Sequence, residues 1–447
     1  MVLLKKIIII VISAFIFILI GIGFNNQYSK YRSNKAVQAF KDKAVNLKTV
    51  KYNSGFEDLM PLKPILKDKR IVAMGEATHG TKEFFQMKHR MFQFLVEEMG
   101  YNVFAMEASQ PDCMAVNDYI LNGNGDPSKL IKKLGFWTWD TKEVLDMVEW
   151  MKEYNKTHEK KIKFYGFDMQ SSHTAAQNVI DYLNKVDPSY EARVHEVLSK
   201  FNDRTLDYGV KKQLPIDGIK EIKNIFEKNK DEYIKKSSKE QYELYMQNLN
   251  VICEFYDMFG TGGSDFQKET KRDKYMAENV KWILDHEGED SKIMLWAHNL
   301  HVSKGIDKFG GSNSDYPEGN VKRMGSNLYD MYGSKMYVIG FEFNKGDLIA
   351  NYTNKENGQI VNGKCTLKAA KENSAAYIFS KVNPIFFIDF NTCKKNKYAK
   401  NILSKPQYCH DIGAVFPGEN KSFESEILDL RYDGLIFVDT TSSAEPN

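Results

Sequence analysis

The residues best suited to chemistry follow short apolar runs. Ile71–Met74 is followed by Gly75-Glu76-Ala77-Thr78-His79-Gly80. Val103–Met106 is followed by Glu107, and Ile162–Tyr165 by Gly166, Phe167 and Asp168. Ile293–Trp296 leads into Ala297, His298, Asn299, Leu300 and His301, and Tyr337–Phe341 leads into Glu342. Imidazole and carboxylate in this company suit the activation of water. A neutral imidazole held in one tautomer by a carboxylate takes a proton from water near pH 7. Glu76 and His79 stand three residues apart in a Gly-bounded turn, close enough to interact. Glu107, from another run, is a candidate orienting carboxylate or second base. A single polar residue at such a position often only caps a helix or turn. Five runs ending this way point to a shared polar site.

The same side chains are legitimate ligands for zinc or a similar ion. H-E-x-x-H is absent, so a divalent metal is allowed by the residues but not required, and no metal ligand is assigned. No G-x-S-x-G elbow supports a serine nucleophile, since Gly263-Ser264 lacks both the pattern and a preceding strand. There is no P-loop and no G-x-G-x-x-G after a strand. The remaining histidines, His89, His158, His173, His195, His286 and His410, read as solvated surface residues.

These side chains need strands to carry them. The runs are four or five residues long and apolar nearly throughout, as in strands buried on both faces. Ile385–Ile388 and Leu435–Val438 are two more. Helical patterns lie between many of them, including Lys82–Met99 and Thr141–Tyr154. The alternation predicts an α/β fold with a largely parallel central sheet flanked by helices. In such sheets ligands bind beyond the carboxyl ends of the strands. Residues from about 175 to 290 depart from the alternation. They carry helical spacing, as in Ile216, Ile219, Ile222 and Phe226, and read as a helical insertion or cap.

The chain has 447 residues and a formal net charge of +3, with 42% hydrophobic and 13% aromatic residues. That balance argues against a disordered chain and against a nucleic-acid binder. Five widely spaced cysteines without a CxxC pair read as buried thiols. One stretch is extreme: residues 7–24 are apolar and uncharged after Lys5 and Lys6. About 18 helical residues cover roughly 27 Å, close to a bilayer core. No small-x-small site follows, which favours an uncleaved membrane anchor over a cleaved signal. The expected organisation is therefore an anchor or signal segment at 1–24 and a spacer with entry helix at 25–60. An α/β domain at 61–447 follows, with its body outside the cytoplasm.

The motifs resemble those of the erythromycin esterase family. The resemblance runs through residues 71–85, Phe104–Glu107, Gly135–Glu143 and Gly166–Asp168. It continues in Arg272-Asp273, Met276–Asn279, Trp296–His301, Met324-Gly325 and Ile339–Phe343, covering roughly residues 60–440 in order. It implies a hydrolase that opens a carboxylic ester or lactone, such as a macrolide, by activating water. The implied general base is His79, with Glu76 and Glu107 as its acidic partners. The implied later histidine is His298 or His301, with His298 preferred. The basic residue of the helix after the first motif falls at Lys88, where relatives carry Arg, so a planar two-point contact is lost. Arg272 is a candidate for binding an oxyanion, and His301, Lys88 and Glu342 join it as candidate substrate contacts. An anchored body is poorly placed to destroy a drug acting on ribosomes and suits an envelope or extracellular ester. A related fold with haem-binding and metal-dependent proteolytic members supplies two rivals: a metal-dependent hydrolase or peptidase, and an anchored haem-binding module.

Overall fold

A computed structural model of the chain describes residues 27–202, 214–309 and 319–447. The apolar run at 7–24 lies outside the described residues. Among the described residues no helix is long and apolar enough to cross a membrane.

The strands in chain order are β1 (Val45–Asn46), β2 (Ile71–Met74), β3 (Val103–Ser109), β4 (Lys163–Asp168) and β5 (Ile293–Trp296), then β6 (Ile306–Phe309) and β7 (Gly319–Lys322). After them come β8 (Met336–Thr353), β9 (Ile360–Leu367), β10 (Ile385–Asp389), β11 (Gln407–His410), β12 (Phe423–Glu426) and β13 (Gly434–Thr441). The central sheet runs β1-β10-β13-β8-β2-β5-β3-β4, with β9 pairing the far part of β8. The stretch from β13 to β4 is parallel throughout, whereas β10 is antiparallel to β13, β1 to β10 and β9 to β8.

Parallel strands need helices on both faces, and the two-sided burial of β2 and β5 satisfies that need. Alternate residues divide between the layers. Ile71 and Ala73 face one apolar core, while Val72 and Met74 face the other. The helix Lys82–Met99 closes the second layer, burying Phe84, Phe85, Met91, Phe92 and Leu95. It stops at Gly100, whose φ of 72° gives the left-handed cap that glycine adopts without penalty.

The regular elements described between β4 and β5 are all helical, from His173–Val186 to Asp265–Glu287. These helices share the first core with the sheet: Val179, Leu249, Ile252 and Ile283 pack in one cluster with Ala73, Ala105 and Leu295. They form a covering layer of the sheet. The segment after Gln27 is also built into the fold. Its helix, 27–41, buries Ala36, Ala39 and Phe40, and Val45 pairs with Phe387 at the sheet edge. A two-residue edge strand carries too little periodicity to be read from sequence. All five cysteines are free, four of them buried.

Candidate functional site

The carboxyl ends of β2, β3, β4 and β5 lie side by side, so Glu76, Glu107, Asp168 and His298 emerge on one edge. The turn after β2 is fixed from two directions. Asn299 donates from its backbone to Glu76 O at 2.9 Å and from Nδ2 to Phe341 O at 2.8 Å, while its Oδ1 accepts from Phe341 N at 3.0 Å. A Cβ at Gly75 would collide with the Asn299 side chain, so this close approach requires glycine.

Glu76 is fully buried and its oxygens are shared among three partners. Oε1 lies 2.7 Å from His79 Nδ1, while Oε2 accepts from Lys88 Nζ at 2.5 Å and Trp296 Nε1 at 2.8 Å. Burial opposes its charge, yet Lys88 and His79 hold the carboxyl below the usual glutamate range. Burial pulls Lys88 down to about 8, against the raising effect of Glu76. Lys88 thus stands behind Glu76, fully buried against Trp296 and Phe341. The ionised Glu76 holds the proton of His79 on Nδ1. That leaves Nε2 as the free basic nitrogen, with no hydrogen-bond partner among the described residues.

His298 faces His79, with ring centroids 5.0 Å apart. Its Nδ1 accepts from Leu300 N at 3.3 Å, which places the proton on Nε2. That nitrogen is buried without a hydrogen-bond partner among the described residues, with Asp411 Oδ1 at 3.5 Å as an ionic neighbour. Burial is the main cause that lowers His298 to about 4, so it is a neutral donor near pH 7. Trp139 closes the other side of His79, its ring edge-on at 5.9 Å and its Nε1 donating to Glu107 O at 3.0 Å.

Glu107 does not reach His79 as an orienting group. Its Oε2 accepts from His298 N at 2.9 Å and its Oε1 from Arg272 Nη2 at 2.7 Å. Arg272 also donates to Asp168, from Nη2 at 2.7 Å and Nε at 3.2 Å. Its Nη1 lies 3.0 Å from His301 Nε2, so all three nitrogens are engaged. Burial opposes the charge of Glu107, but His301 and Arg272 hold its carboxyl far below the usual range. His301 is backed by Asp273 at 2.8 Å, and Asp273 in turn accepts from Arg323 Nη1 at 3.0 Å and Met324 N at 2.9 Å. Burial works against a charged His301, yet Asp273 and Glu107 together raise its affinity for a proton. In the neutral ring Nε2 accepts from Arg272; the protonated ring would turn that proton toward Glu107 Oε1 at 3.4 Å.

Two clusters therefore meet at the strand ends. One is Glu76, His79, Lys88 and His298; the other is Arg272, Glu107, Asp168, His301 and Asp273. Glu342 joins neither. Its carboxylate accepts from His410, at 3.0 Å from the backbone N and 2.6 Å from Nδ1, and His410 stacks between Phe343 and Phe423. His410 is therefore a buried clamp residue rather than a solvated one. His89 is buried too, stacked on Tyr52 at 4.2 Å. Both were hidden in sequence because their apolar partners come from remote segments.

A cavity of about 390 Å³ opens beside Arg272, lined by Gln170, Met258, Phe259, Lys268 and Glu269 among others. The donor set does not suit a divalent cation. Both oxygens of Glu76, Glu107 and Asp168 already accept bonds, and Lys88 and Arg272 supply the positive charge beside them. Among the described residues no three His, Cys, Asp or Glu side chains converge as ligands. Trp296, Trp139, Asp273 and Arg323 were not assigned roles from sequence, since their partners lie far along the chain.

The sequence profile of the erythromycin esterase family matches residues 96–441. A Bacillus subtilis (strain 168) protein named as a hydrolase, YbfO, is 27% identical over 408 residues, covering 87% of each chain. Erythromycin esterase type II of Escherichia coli is 26% identical over 337 residues, covering 70% of this chain and 78% of its own. A crystal structure of a Bacillus cereus protein superposes with a TM-score of 0.79 at 28% identity, covering 93% of this chain and 99% of that one. The chain belongs to the erythromycin esterase family and is a hydrolase of that family.

Proposed function

We propose that the chain hydrolyses a carboxylic ester or lactone with His79 as general base. The observation that carries this reading is the chain Lys88–Glu76–His79, with Glu76 Oε1 2.7 Å from His79 Nδ1 and Nε2 left unbonded beside His298. Nε2 takes a proton from water as its oxygen attacks the acyl carbon. Glu76 stabilises the imidazolium that forms, and the same proton then passes to the departing alcohol. His298 offers a neutral Nε2–H to the attacking water or the developing oxyanion. Arg272 acts as a strut that holds Glu107 and Asp168 rather than as a substrate ligand. The apolar run at 7–24 supports an enzyme anchored at a membrane and acting on an envelope or extracellular ester.

The test is turnover of a panel of esters and lactones, with intact-mass measurement of the protein at steady state. Hydrolysis without an acyl adduct is expected. Turnover is expected to persist after exhaustive chelation. No turnover across the panel, or an acyl-enzyme, overturns the reading. Loss on chelation that one divalent ion restores overturns its metal-independent form.

The pH profile gives a second expectation. Raising the pH through about 8 strips Lys88 of its proton and Glu76 of its counter-ion. Activity is expected to fall along an alkaline limb near that pH. The folded value lies below the ordinary 10.5, so between the two the folded chain binds fewer protons, and this group's contribution to stability rises with pH. Activity therefore falls where Lys88 does not weaken the fold, which melting curves across pH 7–9.5 check. Lys88→Arg keeps its charge and is expected to move the limb upward. A limb that stays in place belongs to another group.

A further inference from the structure

Asp411 enters the site from outside the parallel strands. It follows β11, and the two residues beside it are pinned. His410 is held by Glu342 through both its backbone N and Nδ1, between two phenyl rings. Ile412 donates its N–H to Ala77 O at 2.9 Å, inside the turn that joins Glu76 to His79. Asp411 N donates to Ser422 O at 3.0 Å on the neighbouring strand segment. The backbone of Asp411 is thus fixed against the catalytic turn. Its side chain, 18% exposed, stands 3.5 Å from His298 Nε2, too far for a direct hydrogen bond and close enough to share a water.

A water between His79, His298 and Asp411 would meet complementary groups. It has two protons to give and two lone pairs. His79 Nε2 accepts one proton, a carboxylate oxygen accepts the other, and His298 Nε2–H donates to one lone pair. The second lone pair is then free for attack. His79 and His298 alone leave the second proton of the water unheld, and the direction of attack with it.

We propose that Asp411 is a catalytic residue that holds the attacking water together with His79 and His298. The proposal rests on the hydrolytic reading above. In the step, one O–H bond of water breaks and its proton goes to His79 Nε2, while the C–O bond to the acyl carbon forms. The bond to the alcohol then breaks and its oxygen recovers that proton. Asp411 neither gains nor loses a proton. The clamp of Glu342 on His410 is the support that keeps its carboxylate on the water.

The experiment compares the full chain with Asp411→Ala, Asp411→Asn and His79→Ala on the ester from the panel that the parent turns over best. Both Asp411 variants are expected to lose about 10–100-fold in kcat, the order of loss that misplacing a reactant brings, with KM changed less than about threefold. Added formate is expected to restore part of the activity of the alanine variant, where it has room, and not of the asparagine variant. Melting temperatures are expected to match the parent, since the side chain makes no direct hydrogen bond among the described residues. An Asp411→Ala kcat within about threefold of the parent, with His79→Ala inactive, overturns the role of Asp411 and leaves the hydrolytic reading standing. Activity lost together with thermal stability and not restored by formate makes Asp411 structural and also overturns it. A fully active His79→Ala, or a parent with no turnover, overturns both.

Discussion

Replacing His79 with alanine is expected to lower kcat for ester hydrolysis by a factor of about 10²–10⁴, the usual worth of a positioned general base. KM is expected to change little, because the lost interaction exists with the water in the transition state. The fold is expected to survive. Glu76 keeps Lys88 at 2.5 Å and Trp296 at 2.8 Å after the imidazole is gone, so no buried carboxylate is left alone. Steady-state kinetics on the panel ester, with a melting curve for each protein, check this. A His79→Ala enzyme as active as the parent removes His79 as the base. Glu76→Gln separates the two halves of the device. It leaves His79 in place without a charged partner, and it deprives Lys88 of its counter-ion inside the core. It is expected to lose activity and stability together, which distinguishes an orienting carboxylate from the base it orients.

The strand ends carried most of this site into view from sequence alone. The four-residue runs Ile71–Met74 and Ile293–Trp296 are strands over those same spans, because a strand buried on both faces has no polar residue to blur its ends. The helix Lys82–Met99 has the same bounds in sequence and structure, being closed by Gly100. Glu76 and His79 are neighbours in the chain, so their contact was legible as a spacing. Contacts across the chain were not. Glu107 read as a partner for His79, yet a guanidinium 165 positions away holds it. Lys88 read as a substrate contact from the family resemblance, and Arg272 as a cation suited to an oxyanion. Both are buried against carboxylates: Lys88 on Glu76 of the preceding turn, and Arg272 on Glu107 and Asp168, which the sheet order brings beside it.

Asp411, and His410 as the buried partner of Glu342, were the least visible of all. β11 and β12 form a separate two-stranded sheet whose short, mixed-polarity strands show no buried run. The apolar run ends at Phe341 and so offers Glu342 as a strand-end group, whereas β8 runs on to Thr353 and carries Glu342 partway along its length. What placed these residues was tertiary packing of aromatic rings on His410, for which the local sequence holds no period.

Arg272→Met is expected to cost about 3–5 kcal/mol of folding stability at neutral pH, the range for breaking a buried ion pair from one side. The residue ties together β3, β4 and the short helix Asn299–Val302 after β5 by bonding Glu107, Asp168 and His301 at 2.7–3.2 Å. Methionine fills much of the same volume but removes the guanidinium that both buried carboxylates share. The pH dependence identifies the cause. In the parent, Glu107 is held far below its ordinary value, so its contribution to stability is present above about pH 4.5 and is lost as the pH falls through the folded value. In the variant the same carboxylate is destabilised as an anion and its affinity for a proton rises, so acidification relieves the defect. The stability gap between parent and variant is therefore expected to narrow from pH 7 toward pH 5. A gap that is constant with pH would assign the loss to packing, and a gap under about 1 kcal/mol at pH 7 would show that Arg272 is not the strut of this edge. Adding Asp168→Asn to Arg272→Met removes one of the two stranded charges. The double variant is expected to be more stable than Arg272→Met alone, a non-additivity that reports direct coupling between the two residues.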